Sequence, residues 1–138
     1  MRKYIYLIVF VTAVLALWQV PQSYCMPDRQ ALFTVGQSSY TSQGRVNDMD
    51  AETFLENNRT YVPVRYLAYS IGITDSGIEW DRVGQNLTLA NENIIVKMQV
   101  GSRDIMIGGK AEKMDVAPLI KNGRTYLPAR FVAEAFGY

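Results

Sequence analysis

The sequence predicts an α+β fold: a small, antiparallel, twisted β-sheet packed on short α-helices, built from two units of 65-residue period, the second incomplete. Three observations predict it. First, Leu32–Gly72 aligns without a gap to Lys97–Gly137, with 13 of 41 positions identical, including Val35/Val100, Gly36/Gly101, Met49/Met114, Asp50/Asp115 and Gly72/Gly137. A fixed internal period marks one structural unit used twice. Second, each unit carries a turn signal, a proline and then a helical stripe. Third, short alternating β-type runs fill the space between the helices. The units read as residues 32–96 and 97–138, within a domain spanning 26–138.

The chain opens differently. Arg2 and Lys3 precede an uncharged run from Tyr4 to Val20, and Pro21-Gln22-Ser23-Tyr24-Cys25 breaks it. This is the order of an export signal. Residues 1–25 therefore read as a signal peptide cut after Cys25, or as an uncleaved signal anchor, since the run is at the short edge of a membrane span. A cut there leaves a chain without cysteine, consistent with export. It also takes the net charge from +1 to −1.

In the first unit, Phe54-Leu55 and Thr60-Tyr61-Val62 flank Asn57-Asn58. In the second, Leu119-Ile120 and Thr125-Tyr126-Leu127 flank Asn122-Gly123. Asn-Gly tolerates the positive φ angles of a type I′ turn, so each stretch predicts a tight hairpin. Pro63 and Pro128 end the second strands and suit a first helical turn. Apolar residues then fall at Val64, Leu67, Ala68 and Ile71, and at Ala129, Val132, Ala133 and Phe136, the spacing of a one-sided helix. Gly72 and Gly137 stand where a helix ends in a left-handed residue. Helices this short need a sheet to lie on.

That sheet is expected from Ile78–Asp81 and Asn86–Leu89 about a turn near Gly84-Gln85, then from Ile94–Val100, Asp104–Ile107 and Lys110–Met114. The last three are joined by turns at Gly101-Ser102 and Gly108-Gly109. Close connections of this kind make the strands antiparallel.

Composition narrows function more by exclusion. The chain has no histidine, which removes the usual general base near neutral pH, the usual partner of a nucleophile and the commonest metal ligand. A net charge of +1 gives no electrostatic footprint for nucleic acid. No cofactor is expected. Contact with a membrane is expected only through the N-terminal segment, if it stays uncleaved.

The candidate residues each have a plainer role. Arg65 and Arg130 suit an anionic wall polymer, or else brace hairpin to helix by bonding to backbone carbonyls or to Asp81 or Asp115. Trp80, with Tyr61, Tyr66, Tyr126 and Phe131, suits a sugar platform, or else cross-strand packing. Met98, Met106 and Met114, eight apart, suggest a thioether site, or else core positions. Asp48, Asp50 and Glu52, and Asp75, Glu79 and Asp81, offer oxygen ligands without EF-hand spacing, and read as solvated turns.

The stretch Asn122-Gly123-Arg124-Thr125-Tyr126-Leu127-Pro128-Ala129-Arg130 through Gly137, with its first copy Asn57-Asn58-Arg59-Thr60-Tyr61-Val62-Pro63-Val64-Arg65 through Gly72, resembles the repeat of the copper amine oxidase N-terminal domain family, also called stalk domains. Glu79-Trp80-Asp81 and the Gly101…Gly108-Gly109-Lys110 hairpin resemble it too, so the likeness covers residues 32–138. It implies an antiparallel sheet twisted around a helix, in exported proteins of Gram-positive-type bacteria, remote from any oxidase active site. It gives Asn57, Arg59, Tyr61, Pro63, Arg65 and Gly72, and Asn122, Gly123, Arg124, Tyr126, Pro128, Arg130 and Gly137, a structural role. Amine oxidase chemistry needs three copper-binding histidines, which this chain lacks. The family pattern places Glu four residues after the motif arginine. Glu134 supplies it in the second unit, whereas Tyr69 replaces it in the first. The counterpart of the Trp80 hairpin, Gly77–Ala90, has no place in the second unit before Tyr138, so either the domain closes with the hairpins present, or the chain is a truncated member, which would leave an apolar helix face or sheet edge uncovered.

The reading is an exported, non-catalytic stalk or scaffold module of the bacterial cell envelope, structural or adhesive, with another envelope protein or a wall polymer as partner. The alternatives are a module binding wall carbohydrate or peptidoglycan and, further off, a carboxylate-based wall hydrolase.

Overall fold

The structure, a computed structural model, describes residues 30–138. The predicted export segment lies outside them. The fold is α+β, with twelve antiparallel strands among the described residues and two short helices.

Three strands open it: β1 (Ala31–Phe33), β2 (Ser39–Ser42) and β3 (Arg45–Asp48) form one sheet in that order. β4 (Phe54–Glu56) and β5 (Arg59–Pro63) form the first hairpin. Asn57 and Asn58 both take positive φ, as do Asn122 and Gly123 in the second hairpin, so both turns are of the predicted I′ kind. Helix α1 (Val64–Ser70) starts directly after Pro63. It ends as Gly72, at φ +83, donates its N–H to the Tyr69 carbonyl while Ile73 donates to that of Ala68. This double return closes the helix end with the glycine in left-handed space.

A 3₁₀ turn (Asp75–Gly77) leads into β6 (Ile78–Asp81) and β7 (Asn86–Ala90). The chain runs on through β8 (Ile95–Gln99), β9 (Asp104–Ile107) and β10 (Lys110–Lys113). These five strands form one meander, ordered β10-β9-β8-β7-β6. β11 (Leu119–Lys121), β12 (Arg124–Pro128) and α2 (Ala129–Ala135) complete the chain.

The sequence reading expected one sheet, and there are three. β5 and β12 pair with one another, giving a separate four-stranded sheet in the order β11-β12-β5-β4. Hairpin signals are local, whereas this pairing joins residues 65 apart. At its centre Val62 faces Leu127, the same position of the two units, and both are fully buried. An antiparallel pair of equivalent strands has a two-fold axis between its central residues, and each helix lies against both strands.

Other features recur at the same spacing. β2 to β5 and α1 have β9 to β12 and α2 as partners, each 65 residues on and of the same length. The Gly36 N–H bonds the Thr53 carbonyl as Gly101 bonds Pro118, and Met49 bonds Ser38 as Met114 bonds Arg103. The main core gathers Val62, Leu67, Leu87, Leu89, Val96 and Leu127 between helices and sheets, while Phe54, Tyr61 and Tyr126 form a smaller one.

Candidate functional site

The motif residues build two grooves related by the same spacing. One, of about 290 Å³, lies between Asn58-Arg59-Thr60 of the first hairpin and Pro128-Ala129-Arg130 at the start of α2. The other, of about 260 Å³, lies between Gly123-Arg124-Thr125 and Pro63-Val64-Arg65 at the start of α1. They arise because β5 and β12 run antiparallel, which sets each hairpin turn beside the other unit's strand-to-helix junction. The second groove has an extra wall. Strands β6 and β7 stand against it, so that Trp80, Ile78 and Leu87 line it together with Tyr66 and Asp50.

The arginines divide into two kinds. Arg59 pairs with Asp115, and Arg124 pairs with Asp50, each ion pair crossing from one unit to the other. Arg130 holds Glu134 one helical turn on, at 2.7 Å, as the family pattern implies. The Glu134 carboxylate raises the Arg130 pKa further. Arg65 faces Tyr69 instead. Its nearest acid is Asp75, at 3.9 Å, and Asp75 also accepts from the Tyr69 hydroxyl. The Asp115 expected as a partner for the helix arginines is held by Arg59, and the Arg130 guanidinium lies near enough to lower its pKa as well. Asp81, named as a partner for the helix arginines, accepts instead from the Val83 and Gly84 N–H groups and from Asn86 Nδ2. The signal for the true pairs was present in the sequence, since Arg59/Arg124 and Asp50/Asp115 recur at the same period.

The aromatics separate as well. Tyr61 and Tyr126 are buried around Phe54, and the Tyr61 hydroxyl donates to the Ala117 carbonyl at 2.9 Å. Phe131 is half-buried against the main core. Only Trp80 and Tyr66 reach the groove, with Trp80 37% exposed on the edge strand β6. The Tyr66 hydroxyl accepts from the Asp50 N–H at 3.0 Å, which ties α1 to the groove floor. The pairing of Asp50 with Arg124 leaves the Arg65 guanidinium, 65% exposed, as the cation least committed to an acid here. The arrangement offers an aromatic face, a guanidinium and a tyrosine oxygen, which suits stacking and hydrogen bonding to a polar ligand.

Among the described residues no three His, Cys, Asp or Glu side chains gather closely enough to hold a metal ion. Met98 and Met114 are buried, but Met106 is exposed. Met106 stands opposite Lys97 rather than Met98, so strand alternation turns it to the outer face.

The titrating groups set a pH window. Hydrogen bonding from Arg59 holds the Asp115 carboxyl below its usual value of 3.8, Asn86 and the Gly84 and Val83 N–H groups lower Asp81, and Lys113 lowers Asp104. A depressed folded pKa contributes stability above the unfolded value, and that stability is lost as pH falls through the folded one. Burial raises the phenols of Tyr40, Tyr61 and Tyr126 above 10.0. Their contribution is complete below 10.0 and is lost as pH rises through the raised values. With no histidine in the chain, the melting temperature is expected to be level between about pH 5 and 9 and to fall on both sides. Calorimetry from acid to alkali measures this, and Arg59→Ala should shrink only the acid-side loss.

Compared with protein-family models, the chain matches the copper amine oxidase N-terminal domain over residues 24–74 and again over 41–138. No curated protein matches it.

Proposed function

Because the chain belongs to the copper amine oxidase N-terminal domain family, we propose that it is an exported, non-catalytic stalk or scaffold module of the bacterial cell envelope. The observation that carries this reading is the family match, which spans both units and all the described residues. The absence of histidine supports it, because the oxidase copper site cannot be assembled from this sequence. The basic start and the apolar run up to Val20 support export. The two units join through one continuous four-stranded sheet, a construction that resists bending between them and suits spacing or docking a partner.

A second reading has its own observation. Trp80, Tyr66 and Arg65 line one groove, and its counterpart beside Arg130 has no aromatic wall. Such a groove suits a wall glycan or an anionic wall polymer, with one end of the molecule binding and the other not.

Co-sedimentation with isolated bacterial sacculi, teichoic acid present or stripped, separates the two. A stalk that serves protein partners stays in the supernatant while folded. A wall-binding module pellets saturably, and Trp80→Ala abolishes pelleting while circular dichroism shows the protein still folded, Trp80 standing at the sheet edge opposite Leu87. Salt then distinguishes the contact, because a guanidinium–anion contact weakens as ionic strength rises and stacking does not.

A further inference from the structure

The two units differ in the residue that faces the helix arginine. In the second, Glu134 stands four residues after Arg130, and its carboxylate accepts from Arg130 Nε at 2.7 Å. In the first, Tyr69 stands four residues after Arg65. A phenol carries no charge at neutral pH, and the Tyr69 hydroxyl donates to the Asp75 carboxylate instead. Arg65 Nε comes only within 3.9 Å of that carboxylate, beyond hydrogen-bond range. The same helix position therefore carries a guanidinium bonded to an acid in one unit and, among the described residues, a guanidinium without a hydrogen-bonded acid in the other.

Arg65 is also the guanidinium beside the aromatic wall. Trp80 and Tyr66 line the same groove, and its other guanidinium, Arg124, is held by Asp50. The Tyr66 hydroxyl accepts from the Asp50 N–H, and so keeps its own proton to donate. At about 260 Å³ the groove falls below the sites of drug-sized ligands, which start near about 300 Å³. That is room for one ring. All of its lining lies between Asp50 and Thr125, so the groove is complete within the two units. An indole face takes the C–H face of a pyranose, the phenol donates to a sugar oxygen, and the guanidinium takes a carboxylate.

We infer that the Trp80 groove selects an acidic sugar, a pyranose carrying a carboxylate, and that Tyr69 sets this choice by leaving Arg65 without an acid of its own. Trp80 supplies the stacking face and Arg65 the charge. Tyr69 touches no ligand and acts through Arg65. This selectivity rests on the wall-binding reading and narrows it to carboxylated glycan, over uncharged glycan and over polyol phosphate.

Titration calorimetry on the whole protein uses three probes. The first is a chitin tetrasaccharide, which is uncharged. The second is peptide-free wall glycan of the same length, in which alternate rings carry a lactyl carboxylate. The third is a glycerol phosphate oligomer, anionic but without a ring. The acidic glycan is expected to bind about fivefold more tightly than the chitin tetrasaccharide at low salt, the size of an exposed guanidinium–carboxylate contact. The phosphate oligomer should bind more weakly than the acidic glycan, and added salt should erase the preference between the two glycans. Tyr69→Glu gives Arg65 the acid that Arg130 has, and should bring the acidic glycan down to the uncharged one. Arg65→Gln, at an exposed position, should do the same without adding a carboxylate beside Asp75. Equal binding of the two glycans by the unaltered protein overturns the proposal while leaving the groove a sugar site. A preference that survives in either folded variant also overturns it, as does a phosphate oligomer that binds as tightly as the acidic glycan. Binding of neither glycan by the folded protein overturns the wall-binding reading and the proposal together.

Discussion

Leu127→Ala is expected to lower the melting temperature by roughly 10–20 °C. Leu127 is completely buried at the centre of β12, opposite the equally buried Val62. Its side chain joins the main core together with Leu67 of α1 and Val132 of α2. Truncating such a leucine costs about 2–5 kcal/mol, because the lost transfer energy is joined by a cavity the neighbours cannot close. Here they are held from two directions, by the central strand pair and by both helices. Small domains have only about 5–15 kcal/mol in total, and each kcal/mol moves the midpoint of a domain near this size by about 4 °C or more. Val62→Ala removes one carbon fewer from the same plane and should cost less. Leu55→Ala is the control: Leu55 projects from β4 and is 56% exposed, so a change within about 0.5 kcal/mol is expected. Thermal unfolding followed by circular dichroism decides. Equal losses at Leu127 and Leu55 would mean that the β5–β12 seam is not the centre of stability.

That seam was the least legible part of the sequence, and the reason is physical. Asn57-Asn58, Asn122-Gly123, Pro63, Pro128, Gly72 and Gly137 act on their immediate neighbours, so hairpins, helix starts and helix ends could be read from single stretches. Strands β6 to β10 were legible for the same reason, each bounded by a turn residue. The pairing of β5 with β12 has no local signal. It is set by burial of Val62 and Leu127 and by the helices that follow both strands. The sheet β1-β2-β3 was missed because Ser-Tyr-Thr-Ser and Arg-Val-Asn-Asp alternate weakly and carry little β-type bulk. Its position was nonetheless implied, since β2 and β3 stand 65 residues before β9 and β10. The arginine pairs that cross between the units were hidden by the same gap. Pairing across the seam brings Arg59 to Asp115 and Arg124 to Asp50, and leaves Arg65 in a groove with Trp80. The groove itself could not be read from the sequence, because its walls come from hairpin, helix and meander at once.

Gly77→Ala tests how firmly the Trp80 wall is seated. Gly77 ends the 3₁₀ turn immediately before β6, and its need for glycine is a matter of space. A Cβ there would stand 2.3 Å from the Ala90 carbonyl oxygen and 2.7 Å from Ile73 Cγ2. The first is backbone at the end of β7, and the second belongs to a core residue only 2% exposed, so neither can swing aside. Relief requires the turn and the end of β7 to separate, at a cost of about 1–3 kcal/mol. Gly84→Ala makes the comparison. Its Cβ would meet Asn86 Nδ2 at 2.2 Å and Asp81 Oδ2 at 2.5 Å. Those are the ends of exposed side chains, which can rotate away after giving up the hydrogen bonds around Asp81. The expected order is therefore Gly77→Ala well below Gly84→Ala in stability. The loss should also be local. Amide exchange is expected to quicken through β6 and β7 while β5 and β12 stay protected, because the seam has its own buried contacts. If the Trp80 groove binds wall polymer, the same variant should lose binding, since Trp80 lies three residues along the displaced strand while Arg65 stays on α1. Unchanged exchange in β6 and β7 together with unchanged stability would show that Gly77 sits in a looser corner than its contacts indicate.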